Sequence, residues 1–159
     1  SEIGKRTREF IKNDQLQPRD KFKPIRCFDV NMNKFDWNSV KGKKFTIIVG
    51  GLWCMTHGMD NSLPKQYFES IKEKYGDSHQ LILYVYCNDS EEMIEEIKEF
   101  GLEDYTVISD FKGRATPFTS IYNCQATPTC IYTDAEGIIV NIMEGLDPNY
   151  LENEFILKQ

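Results

Sequence analysis

Two apolar runs separated by an amphipathic stretch limit most strongly what this chain can fold into. Residues 45–49 and 81–87 have the length and the β-branched or aromatic content of buried strands. Between them, apolar residues recur at helical spacing over residues 63–75, with Ser62 placed to cap the helix and Pro64 in its first turn. This strand–helix–strand order predicts parallel strands with a helix packed across them.

The following sequence predicts a larger sheet. A second helix is expected over residues 90–100, capped by Asp89 or Ser90 and ended by Gly101. Further elements are a short strand at 105–108, a short helix from Thr116-Pro117, and strands at 129–133 and 138–142 joined by a tight turn. A last helix is predicted from Asp147-Pro148, and a small N-terminal hairpin at 25–37. The closing antiparallel hairpin makes the sheet mixed.

The length and charge of the chain exclude several classes of protein. Its 159 residues, 40% of them hydrophobic, suit one domain with a core. We expect residues 1–19 to form an arm or tether and residues 20–159 to form the domain. The net charge of −6 argues against a nucleic-acid partner. The longest apolar run, residues 81–86, is far below the roughly 18 residues that span a bilayer, so we expect no membrane span here and place any tether upstream.

The five cysteines do not form a disulfide framework. They are spread along the chain and odd in number: Cys27, Cys54, Cys87, Cys124 and Cys130. Cys27, Cys87 and Cys130 lie in or beside apolar runs, which favours burial in the core. Cys54 differs, because it follows the first strand after Gly50-Gly51 and stands in the polar sequence Trp53-Cys54-Met55-Thr56-His57.

Several local patterns together resemble a known family. They are the lead-in at 39–43, Trp53-Cys54, the strand end and helix start at 85–89, the proline loop at 122–129, and the turns at 134–137 and 146–148. In this order they resemble thioredoxin-like proteins of the TlpA and ResA type, extracytoplasmic thiol–disulfide oxidoreductases related to the AhpC/TSA proteins. The resemblance implies an α/β thioredoxin fold: a central mixed sheet flanked by helices, with an N-terminal hairpin and an inserted strand and helix.

The chain departs from the family's motif at two places. His57 occupies the position of the second motif cysteine, so the motif reads Cys-Met-Thr-His. Pro64 lies ten residues after Cys54, where the family usually has eight. A looser loop at Cys54, with the helix beginning near Ser62, is therefore expected.

The resemblance also implies roles for individual residues. Cys54 would be the nucleophile, and His57 would tune its thiolate, although a turn-capping role for His57 is weighed equally. Pro128 would be cis, with Thr127 and Trp53 completing a substrate groove. Cys124 and Cys87 are the candidates for a thiol that resolves a mixed disulfide on Cys54, provided that the Cα atoms approach within about 7 Å.

Two functions remain open from the sequence. One is a monothiol thiol–disulfide oxidoreductase or isomerase that acts on protein thiols and disulfides, in an extracytoplasmic compartment. The other is a redox-inactive thioredoxin-fold binding module that uses the proline groove. A peroxidase is disfavoured because Gly51 stands where a threonine is needed. A metal site at Cys54, His57 and Asp60 is a minor alternative without an evident fourth ligand, so neither a metal nor another cofactor is predicted.

Overall fold

The computed structural model describes residues 15–50, 62–124 and 128–145. Over these ranges the chain forms a five-stranded mixed sheet in the order β3-β2-β1-β4-β5. The elements are β1 (Lys44–Val49), α1 (Leu63–Tyr75), β2 (His79–Tyr84), α2 (Ser90–Phe100), β3 (Thr106–Ile108), α3 (Pro117–Ile121), β4 (Thr129–Thr133) and β5 (Ile139–Glu144). The predicted elements between residues 44 and 144 are therefore present, with ends shifted by a few residues.

The strand pairing confirms the predicted mixed sheet. β1, β2 and β3 are parallel, with Val49 opposite Tyr84, and β4 runs antiparallel to β1, with Val49 opposite Thr129. β5 then pairs antiparallel with β4. The ends of β1, β2 and β3 therefore lie at the same edge of the sheet as the beginning of β4. We call this edge, formed by Val49, Tyr84, Ile108 and Thr129 with the residues that extend from them, the carboxyl edge.

Alternating side chains on the strands build two cores, one on each face. On β1, Ile48 joins the core that α1 and α2 cover, whereas Ile47 and Val49 join the core that α3 and the N-terminal segment cover. The strands thus carry apolar side chains on both faces, as expected for a sheet between two layers. The first core holds Phe68, Ile71, Leu83, Met93, Ile97, Phe100 and Leu102, and the second holds Phe22, Phe45, Ile82, Tyr84, Phe118, Tyr122 and Ile131.

The two long helices begin differently. Of the two predicted caps of α2, Asp89 is the one found, because its carboxylate accepts from the Glu92 amide, and Gly101 ends the helix in the left-handed conformation. Ser62 precedes α1 as predicted but makes no capping hydrogen bond with its side chain. Its backbone is already helical, with φ −82° and ψ −13°, whereas a capping serine is usually extended. Its hydroxyl instead accepts from the Gln66 side-chain amide at 2.7 Å.

The N-terminal hairpin is reduced to a single bridge between Phe28 and Lys34. The Asp29 carboxylate accepts from the amides of Asn31 and Asn33 and so reverses the chain tightly. Phe28 also bridges Ser109 just beyond β3, which fastens the hairpin to the sheet at the carboxyl edge.

The predicted last helix and residues 1–14 lie outside the described residues. The end of the predicted arm contacts the domain, since the Leu16 amide donates to the Ile121 carbonyl and the Arg19 amide to the Ile139 carbonyl, both at 2.8 Å. Among the described helices, none has the length and apolar content needed to cross a membrane.

Candidate functional site

The carboxyl edge collects the residues that flank the cysteine motif. Gly50, which continues β1 toward the motif, donates its amide to the Tyr84 carbonyl at 3.0 Å. Pro128 precedes Thr129, the residue paired with Val49, and its carbonyl accepts from the Gly145 amide at 2.8 Å. The start of the motif segment and the predicted proline loop therefore leave adjacent strands at the same end. Binding sites in open α/β sheets gather at this end.

The predicted site residues are only partly within the described ranges. Cys54, His57, Trp53 and Thr127 lie outside them. Pro128 is described and stands at the carboxyl edge, directly before Thr129, and its role in a substrate groove stays a prediction. The cis state of its peptide bond stays a prediction.

The two candidates for a resolving thiol are described, and both are buried. Cys87 is 3% exposed, and its Sγ donates to the Ser109 hydroxyl at 3.3 Å. Burial raises the pKa of Cys87 to about 11, against the opposing effect of that hydrogen bond. Cys124 is also 3% exposed, and burial raises its pKa to about 12. Both thiols are therefore protonated and shielded near neutral pH.

Cys27 and Cys130 are buried, which confirms their predicted core positions. They are 0% and 1% exposed, and burial raises the pKa of each thiol to about 12. For Cys27, the nearby Asp110 carboxylate adds to the effect of burial. None of the four described cysteines forms a disulfide with another described residue.

A buried carboxylate at the carboxyl edge was missed by the sequence analysis. Asp110 is 8% exposed and accepts hydrogen bonds from the Tyr84 and Thr116 hydroxyls, each at 2.6 Å, and from the Lys112 amide at 3.2 Å. Thr116 in turn accepts from the Phe118 amide and caps α3. Asp110 therefore joins β2 to the helix that leads into the proline loop. A sequence signal existed, because Ser109-Asp110 directly follows a predicted parallel strand.

Ser109 organises the same loop through three hydrogen bonds. Its hydroxyl donates to the Val85 carbonyl at 2.8 Å and accepts from the Phe111 amide at 3.1 Å and from Cys87 Sγ. Phe111 has a left-handed backbone, with φ +58°, which a bulky residue rarely adopts. The Phe111 amide bonds to the Ser109 hydroxyl and the next amide, that of Lys112, bonds to the Asp110 carboxylate, and together these two bonds hold Phe111 in this conformation. Strained residues of this kind are concentrated at functional sites.

Comparison with solved structures identifies the architecture. A protein from Chlorobium tepidum described as the thiol:disulfide interchange protein DsbE superposes with a TM-score of 0.72 and 17% identity, covering 90% of this chain and 98% of its own. The chain has the thioredoxin fold. A thiol peroxidase from Chromobacterium violaceum shares the thioredoxin fold with a TM-score of 0.67 and 13% identity, covering 91% of this chain and 89% of its own.

A third neighbour is described as a secreted disulfide oxidoreductase of Mycobacterium tuberculosis, homologous to Escherichia coli DsbE. It matches with a TM-score of 0.58 and 14% identity, covering 84% of this chain and 95% of its own. No protein-family model and no curated protein sequence matches the chain. Since oxidoreductases and a peroxidase share the thioredoxin fold, the reaction must be argued from the site.

Proposed function

We propose that the chain is a thiol–disulfide oxidoreductase that acts through one motif cysteine, Cys54, by exchange or isomerisation on protein substrates. The observation that carries this proposal is the pairing of Val49 with Thr129. It brings the segment leading to Cys54 and the loop containing Pro128 to the same edge of a thioredoxin-fold sheet. A nucleophile and a strand-like binding groove for a peptide are both needed at that edge.

The proposed reaction needs no oxidant. The Cys54 thiolate attacks one sulfur of a substrate disulfide, so that the Cys54–substrate bond forms while the substrate S–S bond breaks. The second substrate sulfur leaves as a thiolate and takes up a proton. Another substrate thiolate then attacks the mixed disulfide and forms a new substrate S–S bond, releasing the Cys54 thiolate. The number of disulfide bonds is unchanged, and the substrate is rearranged.

The burial of the other thiols supports Cys54 as the reacting group. Since the pKa values of Cys27, Cys87, Cys124 and Cys130 are all raised to about 11 or 12, thiolate is scarce at these positions near pH 7. Cys87 and Cys124 would have to leave the core before they could resolve a mixed disulfide. A cycle in which a substrate thiol resolves it is therefore favoured over an internal one.

The remaining roles follow the resemblance. His57 is proposed to favour the Cys54 thiolate or accept its proton, and Trp53, Thr127 and Pro128 are proposed to line the groove. Protein thiols and disulfides are the proposed partners. The compartment is proposed to be extracytoplasmic, because one structural neighbour is described as secreted and disulfide chemistry on proteins belongs mainly to oxidising compartments.

His57 in place of a second motif cysteine favours a second candidate, a binding module. Because the motif has no second thiol, a mixed disulfide on Cys54 cannot be resolved by attack from within the motif. A protein that never forms one would use the groove at Pro128 only to hold a peptide.

Refolding of scrambled ribonuclease A tests the proposal. The wild type should accelerate recovery of ribonuclease activity, and Cys54→Ser should abolish the acceleration. Cys130→Ala is the matched control, since it removes a buried thiol and should keep the activity. His57→Cys should add insulin reduction in the presence of dithiothreitol, because it restores a resolving thiol to the motif. Equal refolding rates with wild type and Cys54→Ser would overturn the enzyme proposal in favour of the binding module.

A further inference from the structure

A cavity at the opposite end of the sheet has no part in the proposed thiol chemistry. It has a volume of about 560 Å³ and lies where the N-terminal segment, the turn before β1 and the β4–β5 turn meet. Its apolar wall includes Phe22, Trp37, Val40 and Phe45. Small-molecule sites are typically concave, mostly apolar and about 300–1,000 Å³ in volume.

The aromatic wall is held rigidly. The Phe22 ring lies 5.1 Å from the Trp37 ring and 5.2 Å from the Phe45 ring, measured between centroids. The indole N–H of Trp37 donates to the Ile25 carbonyl at 2.8 Å, so the ring is fixed and its polar atom is already satisfied. The Phe22 ring is tilted by 48° against the Trp37 ring and stands edge-on to the Phe45 ring at 84°, so the wall offers a ligand apolar ring faces and edges.

The exposed polar and charged residues that line the cavity, here called its rim, carry mainly positive charge. Lys21, Lys41 and Glu136 all line the cavity, and among the described residues none of the three forms an ion pair. The lining residues thus carry two positive charges and one negative charge, in a protein whose overall net charge is −6. Asn38, which has an amide side chain, also lines the cavity. An apolar body and an anionic head group together would match the wall and the rim.

We propose that this cavity binds a small anionic molecule with an aromatic body, of the class of aromatic carboxylates. The volume favours a small molecule over a protein segment, and the ring faces and edges of the wall favour an aromatic body, which can pack on them by stacking or edge to face. The site lies at the start of β1, and the motif follows the end of that strand. Binding there is therefore separate from thiol exchange at Cys54.

The test uses 2-naphthoate as the probe and the neutral 2-naphthamide as its matched analogue. Calorimetry gives the affinities, and amide chemical shifts in two-dimensional NMR give the location. The proposal predicts saturable binding of 2-naphthoate with shifts at Phe22, Trp37 and Phe45, and weaker binding of the amide. Lys21→Gln/Lys41→Gln should weaken binding of 2-naphthoate about fivefold and leave the amide unaffected. The control Lys65→Gln/Lys112→Gln removes the same charge elsewhere and should have no effect.

Ala135→Trp narrows the mouth from an exposed turn position and should abolish binding of both probes. Three results would each overturn the proposal. They are the absence of saturable binding of 2-naphthoate at concentrations up to about 5 mM, equal affinity for 2-naphthoate and 2-naphthamide, and chemical-shift changes confined to another part of the domain. Cys54→Ser should bind 2-naphthoate like the wild type, so a failure here is distinguishable from a failure of the thiol chemistry.

Discussion

His79 makes the stability of the domain depend on pH in a direction that can be worked out. The residue begins β2, is 8% exposed, and shares a 2.5 Å hydrogen bond between its Nε2 and the Thr46 hydroxyl. Burial, together with a smaller effect of the positive charge of Lys44, lowers its pKa from an ordinary 6.5 to about 4. In the folded protein the ring therefore stays neutral at pH values at which the same histidine is already protonated in the unfolded chain.

The sign and size follow from proton linkage. Between about pH 6.5 and about pH 4, His79 binds a proton in the unfolded state but not in the folded state. The free energy of unfolding therefore falls as the pH falls through this range. Each pH unit in this window contributes about 1.4 kcal/mol. The loss between about pH 7.5 and pH 4.5 is therefore about 2.5 kcal/mol from this one residue. Carboxylates contribute their own pH dependence, so the wild type must be compared with a variant.

His79→Gln removes the titrating group and keeps a side chain that can bond to Thr46. Urea unfolding followed by circular dichroism at several pH values measures the free energy of unfolding. The difference in free energy of unfolding between His79→Gln and the wild type should change in favour of the variant by about 2.5 kcal/mol between about pH 7.5 and pH 4.5. His57→Gln removes the chain's other histidine and serves as the control. Parallel curves for wild type and His79→Gln would refute the assigned burial of His79.

Three further variants test the packing around the candidate site. Asp110→Ala should lower the free energy of unfolding in urea by about 3 kcal/mol, because the buried Tyr84 and Thr116 hydroxyls lose their shared acceptor; a loss below about 0.5 kcal/mol would contradict the network. Asp89→Ala should cost about 1 kcal/mol by removing the cap of α2, and Asp89→Asn should recover most of it in the same assay. Tyr122→Phe should cost about 1 kcal/mol, since its hydroxyl bonds to both the amide and the carbonyl of Lys23; a thermal midpoint equal to that of the wild type would rule this out.

The parts of the fold that could be predicted from the sequence are those that depend on a local pattern of residues. The helix periodicity of α1 and α2, the cap at Asp89 and the turn at residues 134–137 each depend on neighbours within a few positions. The Asp134 carboxylate accepts from the Glu136 and Ile138 amides, which is a local bond of the kind that a turn sequence signals. The missing cap at Ser62 shows the limit of such local patterns. A serine does precede the helix, but its backbone is helical and not extended as a capping serine usually is.

Long-range contacts could not be read in the same way. The bonds from Tyr84 and Thr116 to Asp110 join residues 26 and 6 positions away from it, and the sequence carries no mark of the first. Core burial was the commoner expectation for Cys124, and it is confirmed, but the polar neighbours Asn123 and Gln125 do not indicate which residues it packs against. Its low exposure results from packing in the core under α3.

The central claim, that Cys54 is the reacting thiol, is tested most directly by the pH dependence of alkylation. Native protein is treated with iodoacetamide over a pH series, and the modified cysteines are mapped by mass spectrometry in the wild type and in His57→Ala. The account predicts that Cys54 is labelled first with a pKa well below the free value of about 8.5, that this pKa rises in His57→Ala, and that Cys27, Cys87, Cys124 and Cys130 stay unlabelled until unfolding. An unreactive Cys54, or one that titrates at or above the free value without an effect of His57, would contradict it.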